Sequence, residues 1–155
     1  MNIVTSCEQK PETRVALTPS VVKQYQGLGH QLFLQQGAGE LSGFSDQLYD
    51  AYEVTVDKPK SLLPKANVLL SVGAPAKAIL KLLEPDSLII SQFENDDNFL
   101  VEYCLANQLS LINMKQMPRI SRAQNMDTLS SQSNLAGYKA VLIAVNAFQR
   151  AVPMM

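Results

Sequence analysis

Short apolar runs alternate with helix-like stretches along most of this chain, and that rhythm leaves few folds open to it. The runs are Ile3-Val4, Leu32-Phe33-Leu34, Val54-Thr55-Val56, Val68-Leu69-Leu70, Leu88-Ile89-Ile90 and Leu109 to Ile112. Each is too short for a helix and rich in β-branched residues or Leu, as strands buried on both faces are. The clearest helix signal is Thr18-Pro19, where Thr18 can cap the free amides and Pro19 suits the first helical position. That helix is predicted to reach about Leu28, with Gly29 as a left-handed stop and His30-Gln31 leading into the next strand. Further helices are predicted over Asp46 to Asp50, Ala76 to Leu83 and Asn98 to Asn107. Strands separated by helices need crossovers, and crossovers are right-handed. The predicted class is α/β, a doubly wound and mostly parallel sheet of Rossmann-like or flavodoxin-like type.

After Ile112 the rhythm changes. A polar, basic loop from Met117 to Asn125 leads into one long helical stretch, residues 126–150, placed from about Asp127 to Arg150. Within it Ala140 to Val145 is apolar on every face, which calls for deep burial or a place between two bodies. With 155 residues, 46% of them hydrophobic and 17% charged, the chain suits one compact domain over 1–155. The net charge is −1 with no basic face, which excludes nucleic acid as a partner. Cys7 and Cys104 stand far apart without a CxxC spacing or a His cluster, so they read as reduced thiols, and no metal site is expected. The N-terminus runs straight into a strand without a signal-like segment, and a cytoplasmic location is expected. No apolar run approaches the roughly 20 residues of a membrane-spanning helix, so any membrane role must come through a partner.

Several motifs have competing readings. Gly37-Ala38-Gly39-Glu40-Leu41-Ser42-Gly43, with Asp57 a strand later, imitates a dinucleotide fingerprint. It does not open into a long helix, because Ser42-Gly43-Phe44-Ser45-Asp46 forms a second turn, and a structural glycine turn is favoured. His30 reads as a surface residue, and Phe44, Tyr49 and Tyr52 as packing groups. Glu12-Thr13-Arg14-Val15-Ala16-Leu17-Thr18-Pro19 sets a carboxylate and a guanidinium before a helix start, either an anion-friendly turn or a surface ion pair. Pro118 to Gln132 gathers two guanidiniums, primary amides, a carboxylate and hydroxyls in one turn. That set can clamp a ribose, phosphate or carboxamide, or it can simply cap the long helix.

Together, Glu12 to Pro19, Gly37-Ala38-Gly39, Ser42-Gly43-Phe44 and above all Pro118 to Leu142 resemble the N-terminal part of the NAD(H)-binding domain in the alpha subunit of proton-translocating NAD(P) transhydrogenases. The resemblance covers essentially the whole chain. The sister alanine dehydrogenases share the Arg14 to Pro19 region and the fold but lack the loop Arg119-Ile120-Ser121-Arg122-Ala123-Gln124. They also carry a catalytic lysine and histidine where this chain has Gly73-Ala74-Pro75 and Gln92-Phe93-Glu94. The resemblance implies that Arg119, Gln124 and Asp127 surround the nicotinamide of NAD(H), with Ser130 as a further contact. It implies hydride transfer from NADH to NADP+ on a partner domain, coupled to proton passage through a membrane domain. Positioning groups suffice for such chemistry, since two rings must be held face to face without water.

Departures from the family pattern fall at Thr5-Ser6-Cys7 before Glu8, at Ala51-Tyr52-Glu53, and at Phe93-Glu94-Asn95-Asp96-Asp97. The family continues beyond Pro153-Met154-Met155 into an NAD-binding Rossmann lobe, toward which the long helix leads. The expectation is an N-terminal subdomain without that lobe, inactive alone, homodimeric through its last helix, and peripheral to the inner membrane through partner subunits. A non-catalytic interaction module or a remnant of that subunit is the alternative.

Overall fold

A computed structural model describes residues 1–94, 98–148 and 150. The exit of the fifth strand at 95–97 and the chain end at 151–155 lie outside the described residues. The chain divides into two compact units, residues 1–113 and 114–155.

The first unit holds six strands: β1 (Asn2–Thr5), β2 (Gln31–Gln35), β3 (Thr55–Asp57), β4 (Val68–Leu70), β5 (Leu88–Ser91) and β6 (Ser110–Asn113). Every predicted apolar run supplies one of them. All pairs are parallel, in the order β3-β2-β1-β4-β5-β6. Ile3 of β1 pairs with Leu32 on one side and Val68 on the other. Successive strand side chains point to opposite faces, and the core obeys this. Ile3, Leu32, Leu34 and Val68 join one buried cluster with Leu17, Val22 and Tyr49. Val4, Leu69 and Ile89 join the other with Leu80, Leu100 and Cys104. Both faces are therefore covered, as the doubly wound class requires. Each fully buried Leu or Ile contributes roughly 1.5–3 kcal/mol.

Five helices connect the strands: α1 (Pro19–Gly27), α2 (Asp46–Asp50), α3 (Pro59–Leu62), α4 (Lys77–Leu80) and α5 (Asn98–Ala106). Three local expectations need correction. Thr18 stands at the N-cap of α1 but makes no side-chain cap, because its hydroxyl lies 2.9 Å from that of Ser20 instead. α4 is shorter than Ala76 to Leu83. Leu82 and Leu83 tighten onto the carbonyls of Ile79 and Leu80, three residues back, as Pro85 approaches. His30 is half-buried rather than a surface residue. Its N–H donates to the Tyr25 carbonyl at 3.2 Å, and this fold-back brings its ring to 6.5 Å from that of Tyr25. Gly29 at φ 80 makes the left-handed turn that ends the helix.

The second unit contains short 3-10 turns at Met114–Gln116 and Ser121–Met126, then helix α6 (Thr128–Ala147). Asp127 caps the helix, and Phe148 leaves helical geometry at φ −84, ψ 58, so α6 stops short of Arg150. Within its own unit α6 buries none of its side chains. The expectation of deep burial for 140–145 is not met there: Val141 and Ile143 are 61% and 58% exposed. No helix among the described residues is long and apolar enough to cross a membrane.

Candidate functional site

The site lies in the second unit and is built by the turn that starts α6. Ile120 is extended at φ −120, ψ 157, and its N–H donates to the Pro118 carbonyl at 3.0 Å. The chain then tightens, with Ala123 N–H donating to Ile120 O at 2.9 Å and Asp127 N–H to Gln124 O at 3.3 Å. In a 3-10 turn residues three apart eclipse one another, so Ser121, Gln124 and Asp127 are carried to one side.

Asp127 is the hub. Its Oδ1 accepts the backbone N–H groups of Leu129 and Ser130, each at 3.1 Å, and its Oδ2 accepts the Ser130 hydroxyl at 2.6 Å. The first two bonds cap α6 in the manner of a short polar N-cap residue. Foremost the Ser130 hydroxyl, then its backbone N–H and that of Leu129, with the positive charge of Arg119 adding, hold the carboxyl below its ordinary range. Three bonds leave about one of the four lone-pair sites of an ionised carboxylate available.

Arg119, Ile120, Ser121, Gln124, Asp127 and Ser130 line one open cleft of about 250 Å³. The structure thus brings together Arg119, Gln124, Asp127 and Ser130, the four residues singled out in the sequence. Arg122, Asn125 and Ser131 of the same segment are not in the lining, and the Ser131 hydroxyl turns back to the Thr128 carbonyl at 3.1 Å. Ile120 and Ser121 were not singled out. Their signal is their place between Arg119 and Gln124, where one extended residue followed by a tight turn sends both side chains toward the cleft. The lining offers a planar cation, a primary amide, a carboxylate and two hydroxyls. Such a set can donate to and accept from a flat polar group at the same time.

The other motifs resolve differently. Arg14 clasps Glu12 through Nε at 2.9 Å and Nη2 at 2.6 Å, and Glu12 also accepts the N–H groups of Thr13 and Arg14. The Arg14 side-chain bonds come first among the causes that lower the Glu12 pKa to about 2. The turn is therefore a surface ion pair whose guanidinium already holds an anion. In the glycine turn the Gly37 N–H is taken by the Asp46 carboxylate at 3.0 and 3.1 Å. A Cβ on Gly39 would stand 2.6 Å from the Phe44 carbonyl oxygen and 2.9 Å from Tyr49 Cε2. Close packing at Gly39 and a left-handed backbone at Gly37, φ 77, account for these glycines as a structural turn. Cys7 and Cys104 are free thiols.

Comparison with known proteins gives the family of the chain. A sequence-family model for the alanine dehydrogenase/PNT N-terminal domain matches residues 4–136. The chain is 41% identical over 141 residues to the NAD(P) transhydrogenase subunit alpha of Cereibacter sphaeroides, covering 90% of this chain and 27% of that one. It is 37% identical over 163 residues to an NAD(P) transhydrogenase alpha-subunit chain of Rhodospirillum rubrum, covering 100% of this chain and 42% of that one. The crystal structure of transhydrogenase from Sinorhizobium meliloti matches with a TM-score of 0.89 at 33% identity, covering 100% of this chain and 47% of that one. The chain spans less than half the length of these relatives. It belongs to the alanine dehydrogenase/PNT N-terminal domain family, and within it these relatives are transhydrogenases.

Proposed function

We propose that this chain is the N-terminal part of a transhydrogenase alpha subunit, its two units forming one functional domain, and that its cleft holds the nicotinamide end of NAD(H). The observation that carries the reading is the meeting of Arg119, Gln124, Asp127 and Ser130 in one cleft. A carboxamide needs a donor for its oxygen and an acceptor for its amide hydrogens. Arg119 and Gln124 can donate, while Asp127 retains acceptor capacity, so the residues present fit the group. The cleft, at about 250 Å³, is below the usual range for a whole small-molecule ligand. It suits one end of a dinucleotide, with the remaining contacts supplied by other parts of the protein.

In this reading the bound dihydronicotinamide supplies a hydride, two electrons with one hydrogen nucleus, to NADP+ held by a partner domain. NAD+ and NADPH result. Arg119 and Gln124 bind and orient the carboxamide, and Asp127, fixed by Ser130 and the start of α6, sets the ring's rotation. None of them has to take or give a proton. Coupling to proton translocation belongs to the membrane domain of the assembled protein, which this chain meets from the cytoplasmic side as a peripheral partner. α6 joins two copies as a homodimer. The runner-up is a non-catalytic interaction module, which the exposed apolar side chains of α6 favour.

Titration with nicotinamide mononucleotide and, separately, ADP-ribose, followed through the backbone amides of Gln124, Leu129 and Ser130, tests the assignment. The mononucleotide should shift these resonances at millimolar concentration and ADP-ribose should not. No response to the mononucleotide, or an equal response to both, would remove the nicotinamide from this cleft.

A further inference from the structure

The parallel sheet of the first unit reverses its order of growth at β1. From there β2 and β3 are laid down on one side, and β4, β5 and β6 on the other. In a sheet of this order the crevice at the carboxyl ends of the two central strands, here β1 and β4, is where ligands are usually taken. In this protein the crevice already holds a carboxylate, that of Glu8, three residues beyond the end of β1.

The bonds are specific. Glu8 Oε1 accepts the Val72 N–H at 2.6 Å, and Oε2 accepts the Gly73 N–H at 3.0 Å. The Ser71 hydroxyl lies 3.2 Å from both carboxylate oxygens and 2.7 Å from the Gly73 carbonyl, so its one proton serves one of these acceptors at a time. Next along the chain, Gln9 Nε2 donates to the Ala74 carbonyl at 3.0 Å. Two neighbouring side chains after β1 thus fasten both ends of the turn that leaves β4. Two successive amides converging on one anion form a concavity of the kind that backbone nests offer to small anions. The seat is built on rigid parts: Ser71 is buried, its N–H donates to the Ile90 carbonyl at 3.1 Å, and the Gln92 N–H donates to the Val72 carbonyl at 3.0 Å. An open cleft of about 450 Å³ adjoins it, sharing Gln9 and Ala74 and walled by Pro75, Lys77 and Phe99.

We propose that the Val72 and Gly73 amides, with the Ser71 hydroxyl, form a binding seat for a small monocarboxylate, and that Glu8 is its built-in occupant. The switch point of this sheet is closed by the chain's own side chain. The same contact ties the loop after β1, which carries the Glu12–Arg14 pair, to the turn after β4. With the Glu8 carboxylate removed, the seat becomes open to an external carboxylate. This inference does not depend on the role proposed for the cleft beside α6.

The test is chemical rescue in the full chain. Glu8→Ala is titrated with sodium acetate and, at equal ionic strength, with sodium chloride, while the Val72 and Gly73 amide resonances and the melting temperature are followed. Acetate should move both amides downfield, saturably, with a dissociation constant in the millimolar range. It should also recover part of the lost melting temperature, whereas chloride should do neither, and in the parent these amides should not respond to acetate. Absence of an acetate response in Glu8→Ala, an equal response to chloride, or the same response in the parent would overturn the proposal. Should Glu8→Ala not fold, Glu8→Gln decides. Its carboxamide keeps one weaker acceptor oxygen and sets a donor NH2 against the other amide, so both amides should move upfield and at least one should exchange with solvent at least tenfold faster than in the parent, and unchanged amides would overturn the seat.

Discussion

Ser130 binds Asp127 twice, its hydroxyl donating to Oδ2 at 2.6 Å and its backbone N–H to Oδ1 at 3.1 Å, so one carboxylate both starts α6 and faces the cleft. The two duties can be separated. Ser130→Ala removes the largest cause of the lowered Asp127 pKa but leaves both capping amides in place. The Asp127 pKa should rise toward its ordinary value while the helicity of α6 is kept. The sign is that of a depressed carboxyl, whose contribution is present above the unfolded pKa and lost as pH falls through the folded one. A carbon-detected titration of Asp127 checks it, and an unmoved pKa would mean that the hydroxyl bond does not form. Asp127→Asn keeps a competent cap and deletes the charge, so it should lower turnover in the complete transhydrogenase without fraying α6.

Turnover should fall further when the donors of the cleft are lost. Arg119→Ala or Gln124→Ala, placed in the complete transhydrogenase with its NADP-binding partner, is expected to slow hydride transfer about a hundredfold, the scale set by misplacing reacting groups. Both side chains stand in the second unit's open cleft, so the melting temperature should be unaffected. Single-turnover measurements with wild-type rates in both variants would take the loop out of the mechanism.

The Glu12–Arg14 clasp gives a pH prediction at the other end of the chain. Glu12 titrates at about 2 because Arg14 binds its ionised form, first through the side-chain bonds. The clasp therefore contributes above the ordinary pKa of 4.5 and is lost as pH falls through about 2. Arg14 is 45% exposed, so solvent screens the pair and its worth is no more than about 1 kcal/mol. Arg14→Ala should return the Glu12 pKa toward 4.5 with a stability loss of that size. A pKa that stays near 2 would show that the backbone amides, not the guanidinium, hold it.

Tyr49 tests the core of the glycine turn. Its ring is fully buried and its hydroxyl donates to the Leu17 carbonyl at 2.8 Å, while burial first, then the Asp46 charge, pushes its pKa up to about 12. Tyr49→Phe should cost about 1–2 kcal/mol in urea denaturation, since the Leu17 carbonyl loses a buried partner. Gly39→Ala should cost more. Its Cβ would meet the Phe44 carbonyl at 2.6 Å and the Tyr49 ring at 2.9 Å, and the backbone would have to move. A Gly39→Ala protein as stable as the parent would contradict that packing.

How much of this was legible in the sequence depended on range. β1 to β6 were readable because each is a short β-branched or Leu-rich run set off by turn residues, and Ile3 and Val4 send their side chains to opposite cores by strand geometry alone. α3, four residues opening at Pro59, escaped because one turn is too short to show a helical period. The neighbourhood of Gln124, Asp127 and Ser130 was legible in part, since residues three apart meet in a tight turn or helix. Whether Asp127 caps or faces the cleft was not, because the same residue type serves both, and it does both. The contact of Glu8 with Val72 and Gly73 spans more than sixty residues of chain and has no local signature at all.

The last prediction concerns α6. Tyr138, Val141, Leu142, Ile143 and Val145 are each between 46% and 67% exposed, and all but Ile143 stand at the i, i+3, i+4 and i+7 spacing of one apolar face. A surface helix of a monomer turns its apolar stripe inward, and a monomer rarely leaves a contiguous apolar patch beyond several hundred square ångströms uncovered. Covering such a patch would contribute on the order of 10 kcal/mol before the costs of association are subtracted. A second copy of the chain can supply the cover symmetrically, each α6 against the other, so that one apolar substitution is felt twice. The parent is therefore expected to sediment as a dimer at micromolar concentration. Leu142→Glu and Ile143→Glu should shift it to monomer while leaving the strands and Tyr49 environment of the first unit intact, as read by near-ultraviolet circular dichroism. A parent that is well folded and monomeric under those conditions would sink the idea and leave the exposed face to a different partner.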